Sequence, residues 1–174
     1  MFLSASVHHV GSVCLDKRMP GLNYTYYEIS DLHTVFRMRY TDEINGLRDY
    51  GTGVEYTMLE AHAVTLIERN PGITVTEISK TFGRSKSAIS QLISRLEKKG
   101  LVNKKTNAKE NLKIKGLFVT PEGQRLSNCH IEYDSIRVEY WTKKLTEEFS
   151  AEELDIAYRY MDYTIKNKIG RQEP

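Results

Sequence analysis

A chain of 174 residues, 40% of them hydrophobic, is long enough for one substantial core or two small domains. No stretch approaches the ~20 consecutive apolar residues a membrane helix requires, and the opening MFLSASVHHVGSVCLDKR lacks the early positive charge and long apolar run of a secretory signal. Two cysteines, Cys14 and Cys129, are too few for a disulfide framework, so the expected location is the reducing cytoplasm, with no membrane partner. The formal net charge of +2 conceals an uneven distribution. Between Arg84 and Lys115 ten basic residues face two acids, Glu97 and Glu110, which gives this block +8 and leaves −6 for the rest. A block of that kind is the electrostatic footprint of phosphate binding.

The elements follow in chain order. Residues 1–23 are an N-terminal extension to which the sequence assigns no structure. From Tyr24 onward Ile29, Leu32, Phe36, Tyr40, Ile44 and Leu47 keep an apolar stripe through a long first helix, roughly Tyr26 to Tyr50, and residues 24–56 are expected to form a dimerisation helix. Residues 57–120 hold the DNA-reading domain. Within it, Thr74 and Glu77 have the spacing of a capping box, with Ile73 and Ile78 placed as a hydrophobic staple, so a helix is predicted to begin at Val75 and end near Gly83. Ser85 caps the next helix, in which Ile89, Leu92, Ile93 and Leu96 recur on one face until Gly100 stops it.

The opposite face of that second helix presents Ser87, Ser90, Gln91 and Ser94, flanked by Lys86 and Arg95. Short hydroxyl and amide side chains approach base edges closely, and glutamine can bond an adenine at two atoms. The helix start adds unpaired N–H groups suited to phosphate. Two short helices with a basic, serine-rich second member are a means of placing a helix in the major groove of double-stranded DNA. Val102 to Lys105 and Leu112 to Val119 read as strands around a polar turn, Thr106 to Asn111, giving a β-hairpin wing whose lysines Lys104, Lys105, Lys109 and Lys113 can follow the phosphate backbone.

Residues 121–174 are read as C-terminal dimerisation helices. Thr120 caps the first, with Pro121 at its first position and Leu126, Cys129, Tyr133, Ile136 and Tyr140 in steps of three and four. Ser150 and Glu153 form another capping box, opening a last helix with Leu154, Ala157, Met161 and Ile165 on one side. All eleven tyrosines lie outside residues 57–132, so the aromatic content sits in the flanking helices. A reader in the middle of the chain suits a dimer built from its two ends. The predicted fold class is mainly α with a small β-hairpin wing.

The stretch EISKTFGRSKSAISQLISRLEKKGLV, followed by the wing and then VTPEG, resembles the MarR-type winged helix-turn-helix regulators, and the resemblance extends over roughly Tyr24 to Lys168. It implies that Ser85 to Arg95 form the recognition helix, that the wing meets the minor groove, and that a homodimer acts as a transcriptional regulator, a repressor by default, on a palindromic site. It also implies an effector pocket between two domains for a small aromatic or phenolic compound, for which Tyr27, His33, Arg37, Tyr56 and His62 are the candidates. One departure stands out. The Asp-Arg-Arg run usual in the family's wing aligns here with Asn111, Leu112 and Lys113, and a hydrated lysine suits a narrow minor groove less well than a guanidinium. The wing is therefore expected to add affinity more than sequence preference.

Other chemistry has less to stand on. There is no nucleophile elbow, phosphate-binding glycine loop or paired His and carboxylate motif, so no enzyme activity and no cofactor are expected. Some relatives of this kind sense zinc or peroxide, and His8, His9, Cys14, His33, His62, Cys129 and His130 are of ligand type, but no pair has a compact metal spacing and no metal site is assigned. Cys14 lies upstream of the first helix, and Cys129 falls on an apolar stripe where burial is expected. A winged-helix module that binds a protein partner is the rival reading, and the +8 block is what argues against it.

Overall fold

The computed structural model describes residue 18, residues 20–106 and residues 115–167. His8, His9, Cys14 and the wing-tip residues Lys109, Asn111, Leu112 and Lys113 lie outside them. The chain divides into two units, Met1–Gly46 and Leu47–Pro174.

The first unit contains helix α1, Tyr26–Asn45. Thr25 and Glu28 cap it reciprocally: Thr25 N–H donates to Glu28 Oε2 at 2.8 Å, and Glu28 N–H donates to Thr25 Oγ1 at 3.2 Å. Leu32, Val35, Phe36 and Met38 are all exposed on this helix. The helix expected to reach Tyr50 stops five residues earlier, at Asn45. The reason is a competing local structure. Strand β1, Leu47–Asp49, pairs antiparallel with β2, Glu55–Thr57, and the Asp49 carboxylate closes the turn by accepting N–H bonds from Gly51, Thr52 and Gly53 at 2.8, 2.8 and 3.0 Å. Gly51 sits at φ +95°, which a glycine adopts without steric cost. Leu47, assigned to the helical stripe, instead opens β1.

The second unit is built on helix α2, Met58–Arg69, which the sequence reading does not single out although Thr57 and Glu60 form a complete capping box before it. Helices α3, Val75–Thr81, and α4, Lys86–Lys98, follow with the predicted caps, Thr74 with Glu77 and then Ser85; α3 ends two residues before Gly83. Strands β3, Val102–Thr106, and β4, Lys115–Val119, make the wing, with Val102 opposite Val119 and Thr106 opposite Lys115. The segment before α3 adds a third edge: Gly72 N–H donates to Leu117 O at 2.8 Å and Leu117 N–H to Ile73 O at 3.0 Å. Helix α5, Pro121–Glu148, and helix α6, Ala151–Lys166, complete the unit, each with its expected cap, Thr120 and Ser150.

The core gathers Ala61, Ala63, Val64 and Ile67 of α2, Ile78 of α3, Ile89, Leu92, Ile93 and Leu96 of α4, Leu101 and Val102, Leu117 of β4 and Leu126 of α5. Among them, Ile89, Leu92, Ile93 and Leu96 of α4 and Leu126 of α5 are positions that the helical periodicity assigns inward. Cys129, expected to be buried, is half-buried, packed against the edge of this cluster. Past Tyr133 the second half of α5 leaves the core. Ile136, Val138, Tyr140 and Trp141 are exposed, as are Ile156, Tyr160, Met161, Tyr163 and Ile165 of α6, which buries no residue at all.

Gly123 is where α5 meets the end of α4 and the wing. A Cβ there would stand 2.1 Å from the carbonyl oxygen of Leu101, a contact that only a shift of backbone relieves. Gly123→Ala is expected to destabilise the chain by about 2 kcal/mol or more, as overpacking in a core does, measured as a lowered urea midpoint at unchanged slope.

Candidate nucleic-acid interface

Helix α4 carries the candidate reading face. Ser85 Oγ accepts the Ala88 N–H at 3.2 Å and lies 3.0 Å from Ser87 Oγ, so the first turn is ordered by its own hydroxyls. Lys86, Ser87, Ser90, Gln91, Ser94 and Arg95 are all exposed, while Ile89, Leu92, Ile93 and Leu96 fix the opposite side to the core. Ser87, Ser90, Gln91 and Ser94 follow one another at i, i+3, i+4 and i+7, a strip about 10 Å long. Within it Ser94 donates its hydroxyl proton to Ser90 O at 2.9 Å, which leaves an oxygen facing outward to accept.

The basic residues divide into two groups. Arg84, Lys86, Arg95, Lys98 and Lys105 are exposed. Lys99, also exposed, and half-buried Lys104 are instead ion-paired within the molecule: Lys99 Nζ donates to Glu60 at 2.8 and 2.9 Å, and Lys104 Nζ to Glu97 at 2.5 Å. Of the wing lysines singled out in the sequence, Lys104 is therefore tied back to α4, Lys105 holds its ammonium 5.4 Å from the Phe118 ring centroid, and Lys109 and Lys113 fall outside the described residues. Glu60 carries no signal of this role in the sequence beyond its capping position.

The five effector candidates belong to both units. Tyr27, His33 and Arg37 are exposed on α1 in the first unit. Tyr56 is 4% exposed in the core beneath Lys99, whose Nζ lies 5.1 Å from its ring centroid. Its burial comes from alternation in β2, which turns Tyr56 inward between exposed Glu55 and half-buried Thr57. His62 lines a cleft of about 280 Å³ between α2 and α5, shared with Thr65, Arg69, His130, Ile131, Asp134, Ser135 and Val138.

That cleft assembles a metal-ligating set of which only the His130 and Asp134 pair, four apart on α5, is legible as a spacing. His62, His130 and Asp134 each bring one donor atom within 4.8 Å of the others. His130 Nε2 is 3.2 Å and His62 Nε2 3.9 Å from Asp134 Oδ2, and the two imidazoles meet edge to face at 4.5 Å. Tetrahedral zinc with ligands at about 2.0–2.2 Å separates its donors by about 3.4 Å, so the set fits with small adjustments. The buried His130 Nε2 has no hydrogen-bond partner among the described residues, and its Nδ1 lies 3.1 Å from Thr65 Oγ1, which in turn accepts from Ser127 Oγ at 3.2 Å. With Nδ1–H donated to Thr65, the Nε2 lone pair points at the cleft, the arrangement in which a second partner orients a ligating imidazole.

A helix-turn-helix whose second helix presents a polar strip, followed by a two-stranded wing, defines a winged helix-turn-helix protein. The sequence pattern of the MarR family matches residues 52–109, the stretch that holds α2, α3, α4 and the first strand of the wing. The chain is 28% identical over 94 residues to an uncharacterized HTH-type transcriptional regulator, YhjH, of Bacillus subtilis (strain 168), and spans about half the length of that curated relative, 53% of each chain being covered. The fold is that of Streptococcus pneumoniae FabT, solved in complex with DNA, at a TM-score of 0.59 and 20% identity over 81% of this chain and 95% of that one. It is likewise that of Lactococcus lactis ZitR, a zinc-responsive MarR family member, at 0.61 and 12% identity over 82% and 97%. Among the described residues no helix is long and apolar enough to cross a membrane.

Burial holds the His130 imidazole down to a pKa of about 4, against the pull of Asp134 and with the help of His62 and Arg69. The unfolded chain takes up a proton there near pH 6.5, whereas the folded one does not until about pH 4. Stability is therefore expected to fall as pH drops from 6.5 towards 4, because the unfolded state binds the extra proton. Urea unfolding at pH 7 and pH 4.5 should show this drop in the native chain and a smaller one in His130→Gln.

Proposed function

We propose that the protein is a sequence-specific DNA-binding transcriptional regulator that acts as a homodimer on a palindromic operator, as a repressor. The observation that carries this reading is the exposed strip Ser87, Ser90, Gln91 and Ser94 on a core-anchored helix, bracketed by the cations Lys86, Arg95 and Lys98. Two copies of α4 from a dimer enter successive major grooves about one helical turn, ~34 Å, apart. The apolar residues exposed on α1, on the second half of α5 and on α6 support dimerisation through the two ends of the chain, since a lone soluble chain rarely leaves so many large apolar side chains uncovered. The wing contributes phosphate contacts through Lys105, Lys109 and Lys113, adding affinity more than base preference. The cytoplasm, where the DNA is, is the place of action. The likeness to FabT, solved in complex with DNA, supports the same reading.

An effector would act by binding unequally to two forms of the dimer that differ in helix spacing. An aromatic or phenolic effector is the reading attached to Tyr27, His33, Arg37, Tyr56 and His62, of which His62 lines the cleft between α2 and α5. A second reading of the effector has its own observation: His62, His130 and Asp134 form a set that fits a divalent zinc-like cation, and the likeness to zinc-responsive ZitR is in keeping with it. In this reading a bound ion joins α2 to α5, and His62, at 47% side-chain exposure, is the ligand through which it arrives.

The first test is binding to genomic fragments, including the protein's own promoter, over a salt series, beside a variant with Ser87, Gln91 and Arg95 changed to alanine. A palindrome bound tightly by the native chain should lose about 10- to 100-fold affinity in the variant, while residual binding still weakens steeply with salt. Equal, weak binding of both proteins to every fragment would move the function to a protein partner. For the ion, titration calorimetry with zinc should give one site per chain that His62→Ala weakens about tenfold or more; a native chain that takes up no zinc rejects the metal reading and leaves the DNA reading intact.

A further inference from the structure

Lys98 and Lys99 look equivalent in sequence, adjacent members of one basic run, yet the fold gives them opposite tasks. Lys98 is exposed on the last turn of α4. Lys99, the C-cap of that helix, is also exposed, at 39% of its side chain, but its ammonium is held on a carboxylate whose side chain is only 6% exposed, that of Glu60. Glu60 sits at the third position of α2, accepts the Thr57 N–H through Oε2 at 3.1 Å, and accepts Lys99 Nζ on both oxygens. A carboxylate so deeply placed is strongly unfavourable without its counter-charge. The Tyr56 ring, itself buried, lies beneath the ammonium and fixes the path of the lysine stem. Two residues earlier Glu97 bonds Lys104 of β3. Residues two apart on a helix face opposite ways, so the last turn of the helix is held from one side by α2 and from the other by the wing.

We infer that Glu60 and Lys99 are positioning residues for DNA reading: their ion pair sets the angle at which α4 leaves the core, and Lys99 makes no phosphate contact although it belongs to the basic block. The inference rests on the DNA-reading function proposed above. It separates specificity from charge. Removing Lys98 takes away a phosphate contact and weakens binding to all sequences alike, whereas removing Lys99 leaves the number of phosphate contacts unchanged and blurs the alignment of Ser87, Ser90 and Gln91 with the bases.

The experiment compares the native chain with Lys98→Ala, Lys99→Ala, Glu60→Gln and the double variant Glu60→Gln/Lys99→Ala. Gln retains the capping geometry at position 60 while removing the charge. Binding is measured, well below each variant's unfolding temperature, to a duplex that the native chain selects from a random-sequence pool and to a scrambled duplex. Lys98→Ala should lower the salt slope by about one with the selected-to-scrambled ratio kept. Lys99→Ala and Glu60→Gln should keep the slope and lower the ratio about tenfold, with the double variant no worse than either single one, as for a coupled pair. A fall of about one in slope for Lys99→Ala, or an unchanged ratio in both variants, overturns the inference.

Hydrogen exchange on the free protein gives a reading that needs no DNA. The amides of Lys99, Gly100 and Leu101, bonded at 2.9 Å to Arg95, Glu97 and Leu96, should exchange about tenfold faster in Glu60→Gln, whereas those of α3 should not change. Unchanged exchange at the end of α4 also overturns the inference. Should the native chain select no duplex from the pool, it is the DNA-reading function that fails, and the exchange result decides on its own whether the pair positions the helix.

Discussion

Ala61, Ala63, Val64 and Ile67 leave α2 no apolar side open to water, and the unit Leu47–Pro174 is arranged by covering them. β2, β4, α4 and α5 all pack onto this one helix. The two alanines let neighbouring backbones approach closely, and each larger apolar residue so enclosed contributes about 1.5–3 kcal/mol against exposure to water. A helix buried on this scale has no cheap position for a polar group. Three of those that α2 carries meet a matched neighbour: Glu60 meets Lys99, Thr65 meets Ser127 and His130, and His62 meets Asp134. The polar contacts that bear on function are thus a consequence of how completely the apolar face is covered.

The same helix connects two regions that the chain keeps far apart. Its first turn fixes the end of α4 through Glu60, and His62, in the following turn, opens onto the cleft with α5. The reading face itself is anchored from beneath by Ile89, Leu92, Ile93 and Leu96, which explains how a strip made of serines and one glutamine, residues with little packing of their own, is held in place. Charge alone does not describe this surface. Among the described residues the basic block mixes exposed cations without an acid partner, such as Lys98, with Lys99 and Lys104, which neutralise acids of the same molecule.

Helix α5 changes character along its length. Leu126, Ser127 and His130 are inside the unit, whereas Ile136, Tyr140 and Trp141 continue the helical repeat with nothing of the described chain over them. Together with α6, this is apolar surface made by extension of a regular helix beyond the core that it begins in. It is the physical basis for reading the chain as one half of a dimer.

Much of this was present in the residues themselves. The caps at Thr74, Ser85, Thr120 and Ser150, the stop at Gly100 and the inward set of α4 depend on bonds that close within four residues, so spacing alone predicts them. The first helix was read too long because Leu47 continued its apolar repeat, while the competing turn at Asp49, Gly51 and Gly53 was decided by three N–H bonds to one carboxylate and by pairing with Glu55–Thr57. Helix α2 has a capping box as plain as the others, Thr57 with Glu60, and was equally legible in the residues.

The sequence by itself therefore determined the reader, its caps, its apolar underside and the concentration of positive charge about it, because these are local or periodic properties. Only the tertiary structure decided that Lys98 and Lys99 differ, that Lys104 faces inward to Glu97, and that His62, His130 and Asp134 share a cleft. Those relations join residues on different elements, and their distances are set by how α2, α4, α5 and the wing pack around one core, which no spacing along the chain records.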